Sequence, residues 1–451
     1  LTSSPFKVDV TGPTQPTISA PESWQNTDVT VEITDGLDEH SGVNYTEYRI
    51  DQGSWNTYEN DFTISNEGET IVEARTVDKL DNISEISSKT VKIDKTLPEI
   101  TLTENGGDWA KSHATKIVVT DNKSGVGEIE YVWSTSEDFP TSGFTTYTDG
   151  EEITTPNETG FYYLHVRATD RAGNEKEFTS ESFKVDLTAP TAPTVIAPVG
   201  WQNGEVTVKV IDGTDESSGV NRSEYRIDNG LWQTYENEFI ITEAGETIVE
   251  ARTIDHAGNI SAITSETIMI DKTSPEITFD KDGGDWAKSH ATKIVVTDEY
   301  SGVEQIGYAW STSEDFPTSG FTTYTDGTII TTPSETGTYY LHVRSNDYAG
   351  NVSELTSKAF KVDVTAPNVP TITAPIGWQN SDVTVEITDG IDEHSGVLRT
   401  EYRINDGSWI AYVDAFEVSL EGEITIEAKT IDQVGNESTT TSVKMFIDKV
   451  K

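Results

Sequence analysis

The sequence predicts an all-β protein built as five tandem two-sheet sandwiches in an elongated A-B-A-B-A array. Three observations predict it. Trp24, Trp201 and Trp378 recur every 177 residues, as do Trp109 and Trp286, and a fixed period of this kind marks a chain of repeated units. Apolar residues alternate with polar ones over short runs, as in Val206-Thr-Val-Lys-Val-Ile-Asp212, the pattern of half-buried antiparallel strands. No stretch carries helical periodicity.

Two long strings set the repeat. GGDWAKSHATKIVVTD stands at 106–121 and again at 283–298, and WSTSEDFPTSGFTTYTDG at 133–150 and 310–327. Linkers of the form Asp-x-Thr-x-Pro begin at Asp9, Asp94, Asp186, Asp271 and Asp363, and Asp448-Lys449 opens the same pattern again. Their spacing alternates between 85 and 92 residues. The units are therefore 1–93 (A), 94–185 (B), 186–270 (A), 271–362 (B) and 363–451 (A), with further units expected after Asp448. Within the third unit, Val206–Asp212, Glu224–Asp228, Leu231–Tyr235, Glu238–Thr242, Thr247–Asp255 and Ile260–Asp271 read as strands, and Asn229-Gly230 reads as a hairpin turn. Six or seven strands in so short a unit make a sandwich. The extra length of the B units falls around Ser134 to Thr159.

Composition narrows the function. The chain has 451 residues, no cysteine, and 78 acidic against 31 basic residues, for a net charge of −47. Nucleic acid and anionic membrane surfaces both require cationic patches, so neither is an expected partner. No apolar run reaches the length of a membrane span. The acids are dispersed and 34% of residues are hydrophobic, unlike a disordered acidic tail. Leu1 is neither a start methionine nor part of a signal peptide, so the chain reads as a piece of a longer one.

Two strings carry a family likeness. Ser218-Gly-Val-Asn-Arg-Ser-Glu-Tyr-Arg-Ile-Asp-Asn-Gly-Leu-Trp232 and Ala251-Arg-Thr-Ile-Asp-His-Ala-Gly-Asn-Ile-Ser261 resemble the bacterial immunoglobulin-like (fibronectin-III-like) repeats of Gram-positive cell-wall, S-layer and secreted proteins. The resemblance covers the whole chain. It implies Ig-like sandwiches, an extracellular or cell-surface location, and spacer or adhesive roles, but no particular ligand. One departure is Asp81, which replaces the turn glycine in Asp78-Lys-Leu-Asp-Asn82; aspartate tolerates a left-handed backbone better than most residues.

Chemistry is expected at the junctions. In a sandwich whose first strand leaves the N-terminal pole, the second and sixth strands end at that pole, beside the entering linker. Asp186, Asp212, Asp255 and Asn259 would then converge, with Asp215 as a further candidate. The equivalent sets are Asp9, Asp35, Asp78, Asn82; Asp94, Asp121, Asp170, Asn174; Asp271, Asp298, Asp347, Asn351; and Asp363, Asp389, Asp432, Asn436. Oxygen ligands without Cys or paired His suit a hard cation, so structural Ca²⁺ is expected, although the EF-hand spacing is absent. The competing reading is that these residues only make turns and cap backbone amides.

Other residue types give weaker signals. Trp24, Trp201 and Trp378 lie in loop-like Trp-Gln-Asn sequences that either stack on sugars or cover one end of a core. Trp55, Trp232 and Trp409 read as cross-strand packing partners, and Trp133 and Trp310 as core. Most of the seven histidines recur between equivalent units (His40 and His394, His113 and His290, His165 and His342) and lack zinc-like spacing. No phosphate loop, nucleophile elbow or metalloprotease motif occurs, so the chain is not expected to be an enzyme. Its expected partners are the neighbouring Ig-like domains of the same chain, stiffened by Ca²⁺ into a stalk or surface-layer segment. Two alternatives are an adhesin region binding a host, matrix or glycan ligand, with Phe139 to Phe144 as its best surface, and accessory modules of a secreted carbohydrate-active enzyme.

Overall fold

A β-branched residue at every second position favours the extended pleated chain, and the computed structural model is all-β over the residues it describes, 4–450. Leu1 and Lys451, and with them the outer limits of the 1–93 and 363–451 units, lie outside the described residues.

An A unit shows how the pattern becomes a sandwich. Thr17–Ser19, Val29–Thr34 and Phe62–Ile64 form one antiparallel sheet. Asn56–Thr57, Val43–Ile50, Gly68–Asp78 and Ser87–Ile93 form the other, in that order. Gln25 adds a parallel bridge to Ile93. In Val29–Thr34 the valines and isoleucine are buried, and Thr30, Glu32 and Thr34 face solvent. A one-residue register slip would reverse every one of these. Val31, Val72, Ala74 and Ile93 are fully enclosed in the resulting core. Residues 194–270 and 371–447 repeat the arrangement, with Trp201–Gln202 and Trp378–Gln379 as the parallel edge.

The hairpin turn sits one residue earlier than Asn229-Gly230 suggests. Asp228 (φ 47°) and Asn229 (φ 58°) are its central pair, and Gly230 N–H donates to Ile227 O at 2.8 Å. Asp228 Oδ1 accepts the N–H of Ile248 at 2.8 Å, which pins the turn to the next strand.

The B units differ where the sequence is longer. Ser134 to Thr159 contains Thr145–Thr146, paired to Glu130 and Tyr131, and Ile153–Thr154, paired to Ala114–Thr115. The last strand, Phe183–Val185, lies between Gly107–Ala110 (parallel) and Gly160–Asp170 (antiparallel). Trp133 and Trp310 pack edge-on against Phe183 and Phe360 beside the core. Among the described residues five separate apolar cores occur. Among the described residues no helix is long and apolar enough to cross a membrane.

Candidate cation sites at the module junctions

Four linker aspartates, Asp94, Asp186, Asp271 and Asp363, each belong to two modules at once. The N–H of Asp94 donates to Gln25 O of the first A unit at 2.9 Å, extending that unit's edge bridge. Its carboxylate points into the B unit, where Oδ2 accepts the N–H of Ser124 at 2.9 Å. Its carbonyl accepts from Asn174 Nδ2 at 2.8 Å. The same three bonds recur at Asp186, Asp271 and Asp363. Their N–H groups reach Ala110, Gln202 and Ala287. Their Oδ2 atoms accept from Ser218, Ser301 and Ser395 at 3.0, 3.0 and 3.1 Å. Their carbonyls accept from Asn259, Asn351 and Asn436 at 2.9, 2.9 and 3.2 Å.

The two loop acids of each B unit meet the linker acid. Asp121 Oδ1 caps Lys123 and Gly125, whereas Asp170 Oδ1 caps Ala172 and Asn174 while its Oδ2 holds Asn174 Nδ2. Oxygens of Asp94, Asp121 and Asp170 all lie within 4.8 Å of one another, and so do those of Asp271, Asp298 and Asp347. A Ca²⁺ ion with oxygen ligands at about 2.3–2.6 Å spans up to about 5 Å between opposite ligands, so the spread fits one ion. Asp298 Oδ2 is buried and has no hydrogen-bond partner, a costly state for a carboxylate oxygen unless a cation meets it.

In the A units the placement differs from the sequence reading. Asp35, Asp212 and Asp389 are exposed and stand outside the clusters. Their glycine neighbours explain why. A Cβ on Gly36, Gly213 or Gly390 would lie 1.8, 1.8 or 1.7 Å from the carbonyl oxygen of Thr14, Thr191 or Asn368. The Asp-Gly pair therefore serves a close backbone crossing. The loop returns to the pole three residues later, at Asp38, Asp215 and Asp392. Asp215 groups with Asp186 and Asp255 within 4.8 Å, and its Oδ1 caps Ser217 and Gly219. Asp38 groups with Asp9 and His40, and Asp392 with Asp363 and His394. Asp78 and Asp432 are fully buried at the same poles and hold Asn82 and Asn436. The missed signal is Asp-x-x-Ser-Gly, present in all five units at Asp38, Asp121, Asp215, Asp298 and Asp392.

The turn reading also has its observations, since these carboxylates do cap backbone amides. Asp81 keeps the turn in place of glycine, at φ 62° beside 92° for Gly173 and 82° for Gly258.

Electrostatically four of the linker acids, Asp9, Asp94, Asp186 and Asp271, are held ionised. Burial pushes the Asp94 carboxyl up, but the Thr96 hydroxyl and the N–H groups of Ser124 and Thr96 outweigh it and bring it to about 2. Asp271 sits at about 2 for the same reasons, with Ser301 and Thr273 as donors. Asp9 is held at about 2 chiefly by the N–H and hydroxyl of Thr11. Asp186 is likewise shifted down by Ser218 and Thr188 against burial. Three carboxylates so close repel one another unless a cation sits among them.

Other contacts close the junctions. Lys123 of the B unit bonds Glu67 of the first A unit at 2.6 Å. Asn26 Nδ2 donates to Gly173 O at 3.2 Å, and Lys288 Nζ to Gly435 O at 3.0 Å. Trp286 meets His394 edge-on at 5.6 Å. The Trp-Gln-Asn tryptophans lie at the poles, half-buried for Trp24 and Trp201 and 67% exposed for Trp378, which packs on Phe446. Trp55 packs over Arg49 and Arg75, with Trp232 and Trp409 in equivalent places. Phe139 and Phe144 are half-buried, stacked at 5.5 Å, with Arg167 over Phe144. His165 is buried between Thr179 Oγ1 and Ser136 O.

Comparison with known proteins finds one family match and several distant likenesses. The bacterial Ig-like domain family matches residues 112–187. Exoglucanase B of Cellulomonas fimi is 26% identical over 273 residues, which are 52% of this chain and 24% of that protein, so the chain spans about a quarter of its length. Among solved structures, the fibronectin(III)-like modules of Clostridium thermocellum CbhA match at 17% identity and a TM-score of 0.22, covering 38% of this chain and 94% of that one. Sidekick-1 immunoglobulin domains 1-5 match at 10% identity and 0.27, over 97% of both chains. The match to the bacterial Ig-like domain family thus falls on the first B unit, at residues 112–187, and the strings at 283–298 and 310–327 repeat those of that unit in the second B unit.

Proposed function

We propose that this chain is a non-catalytic extracellular spacer whose module junctions are stiffened by Ca²⁺. The observation that carries the reading is the double membership of the linker aspartate. Its N–H is bonded to one module while its carboxylate lies within 4.8 Å of two acids of the next, at Asp94, Asp186 and Asp271. Asp271, Asp298 and Asp347 would hold the ion at one such junction, and the orphaned Asp298 Oδ2 supports the fit. Neutralising the cluster removes the repulsion that otherwise pushes the loop acids away from the linker, so bending a junction would cost metal ligands.

The test is calcium titration of the whole chain by calorimetry, with small-angle scattering in calcium and in chelator. Binding with a longer, stiffer particle in calcium is expected. No heat of binding at millimolar calcium, with identical scattering in chelator, would sink the reading.

A second reading follows from the stretch similar to Exoglucanase B, namely that these repeats serve as accessory modules of a secreted carbohydrate-active enzyme. It shares the spacer role and differs in what the spacer carries. The adhesive reading lacks an exposed Phe139 or Phe144, because both rings pack on their own module.

A further inference from the structure

Each B unit carries a cleft at the same place on its sandwich. In the first, Val119, Val126, Ile129 and Tyr147 line about 340 Å³, with the exposed acids Glu128 and Asp149 at the rim. In the second, Val296, Val303, Ile306 and Tyr324 line about 290 Å³, with Glu304 and Asp326 at the rim. Ile129, Ile306 and both tyrosines belong to the apolar cores, so the fold fixes the floor.

The strands on either side explain the opening. Val126–Ser134 carries a bulge between Val126 and Ile129, and Val303–Ser311 one between Val303 and Gln305; a bulge bends its strand out of the regular ladder. The facing strand, Ile117–Thr120, is paired on one side only, with Glu99–Leu102. Thr103 N–H donates to Lys116 O at 3.0 Å. Alternation in an antiparallel ladder then turns the main chain of Val118 and Thr120 towards Glu99–Leu102 and that of Ile117 and Val119 to the open edge. Ile117 N–H donates to Tyr147 Oη at 3.2 Å. Among the described residues no strand lies beside Val119 on that edge. Ile294, Tyr324 and Val296 repeat the arrangement.

Charge selects the occupant. Two residues after the valine that opens the bulged strand, the A units carry Tyr45, Arg222 and Arg399, and the B units Glu128 and Gln305. Among the described residues no ion pair includes Glu128, Asp149, Glu304 or Asp326. A second copy of this chain, with a net charge of −47, is repelled from such a rim, and a cationic segment is drawn to it.

We infer that the two clefts are docking sites for an extended cationic segment of another protein. The segment pairs its main chain with the edge at Val119 or Val296 and lays an apolar side chain on the floor. Its Lys or Arg side chains meet the rim acids, the division of labour of strand addition in general. Two sites per chain let a partner with two such segments bind more tightly than either site alone. The lining includes none of the junction acids, so the inference does not depend on metal.

The test is fluorescence anisotropy with the whole chain, in chelator and at low salt, with the labelled peptide Lys-Val-Lys-Val-Lys-Val-Lys as the probe. Saturable binding is expected, weakened about tenfold or more in the chain carrying Glu128→Lys, Asp149→Lys, Glu304→Lys and Asp326→Lys. A control chain carries the same change of charge at exposed sites outside the clefts, Glu59→Lys, Glu137→Lys, Glu236→Lys and Glu314→Lys, and should keep its affinity. Equal losses in the two chains would mean attraction by overall charge alone and would overturn the inference. Oligolysine binding as tightly as the alternating peptide would overturn it as well, since the apolar floor would then contribute nothing, and so would no binding of the peptide at all.

Discussion

Asn259 Nδ2 donates to the main-chain carbonyl of Asp186 at 2.9 Å, across 73 residues of sequence. The same amide donates to Asp255 Oδ2 at 2.8 Å. One side chain therefore ties the sixth strand's terminal turn to the linker, and Asn82, Asn174, Asn351 and Asn436 do so in their own modules. Replacing Asn259 with Ala leaves a buried carbonyl and a buried carboxylate oxygen without a donor. The cost is about 2 kcal/mol, read as a lower melting temperature and as faster amide exchange over residues 255–261. Unchanged exchange there would show that the tie carries no load.

Calcium should raise the melting temperature of the whole chain. Ion at about 100 times its dissociation constant adds about 2.7 kcal/mol per site, which in modules of this size is on the order of 10 °C. Asp298→Asn should abolish most of the gain for the second B unit.

The A units offer a sharper discrimination. Asp215→Asn should lower calcium binding at the third module, and Asp212→Asn should leave it unchanged, because Asp212 is exposed and Asp215 lies with Asp186 and Asp255. Equal losses would mean that the loop positions observed here are not those that hold the ion.

Acid should weaken the junctions in a defined window. Asp94 and Asp271 are depressed from 3.8 to about 2 in the folded chain. Their contribution is therefore fully present above pH ~4 and disappears as pH falls through 4 towards 2, because the unfolded state takes up protons first. Urea unfolding between pH 5 and pH 2 without calcium should show stability declining across that interval, by roughly 2 kcal/mol per acid. A flat profile would remove the claim that these carboxylates are held by their donors.

The two A-to-B junctions should respond differently to salt. Lys123 bonds Glu67 across the first, whereas Tyr300 and Ala244 occupy the equivalent places at the second, with the Tyr300 ring beside Gly245. Lys123→Met should cost little at low salt and nothing at 1 M, because salt screens an exposed pair. Hydrogen exchange near residue 67 resolves so small an effect.

Strands and cores were legible because alternation has only one solution once a face is buried: Val29, Val31 and Ile33 could not be placed otherwise. The B-unit acids were legible too, since Ile117–Thr120 runs straight into Asp121. The A-unit acids were not. There the strand also ends in an aspartate, and only the tight crossing of Gly36 over Thr14, a contact between distant segments, turns Asp35 outward and hands the role to Asp38. The hairpin turn slipped by one residue for a similar reason, because the bond from Ile248 N–H to Asp228 selects the turn's centre.

Because A-to-B and B-to-A interfaces are furnished differently, with Asn26 on Gly173 at one kind and Lys288 on Gly435 at the other, a lone unit cannot be dropped from the series without mating two ill-matched ends. Removing or duplicating an adjoining pair leaves every interface of the A-to-B or B-to-A kind. Such an array can change length in paired steps without creating an A-to-A or B-to-B contact, in keeping with the near-identical strings that recur at 177 residues.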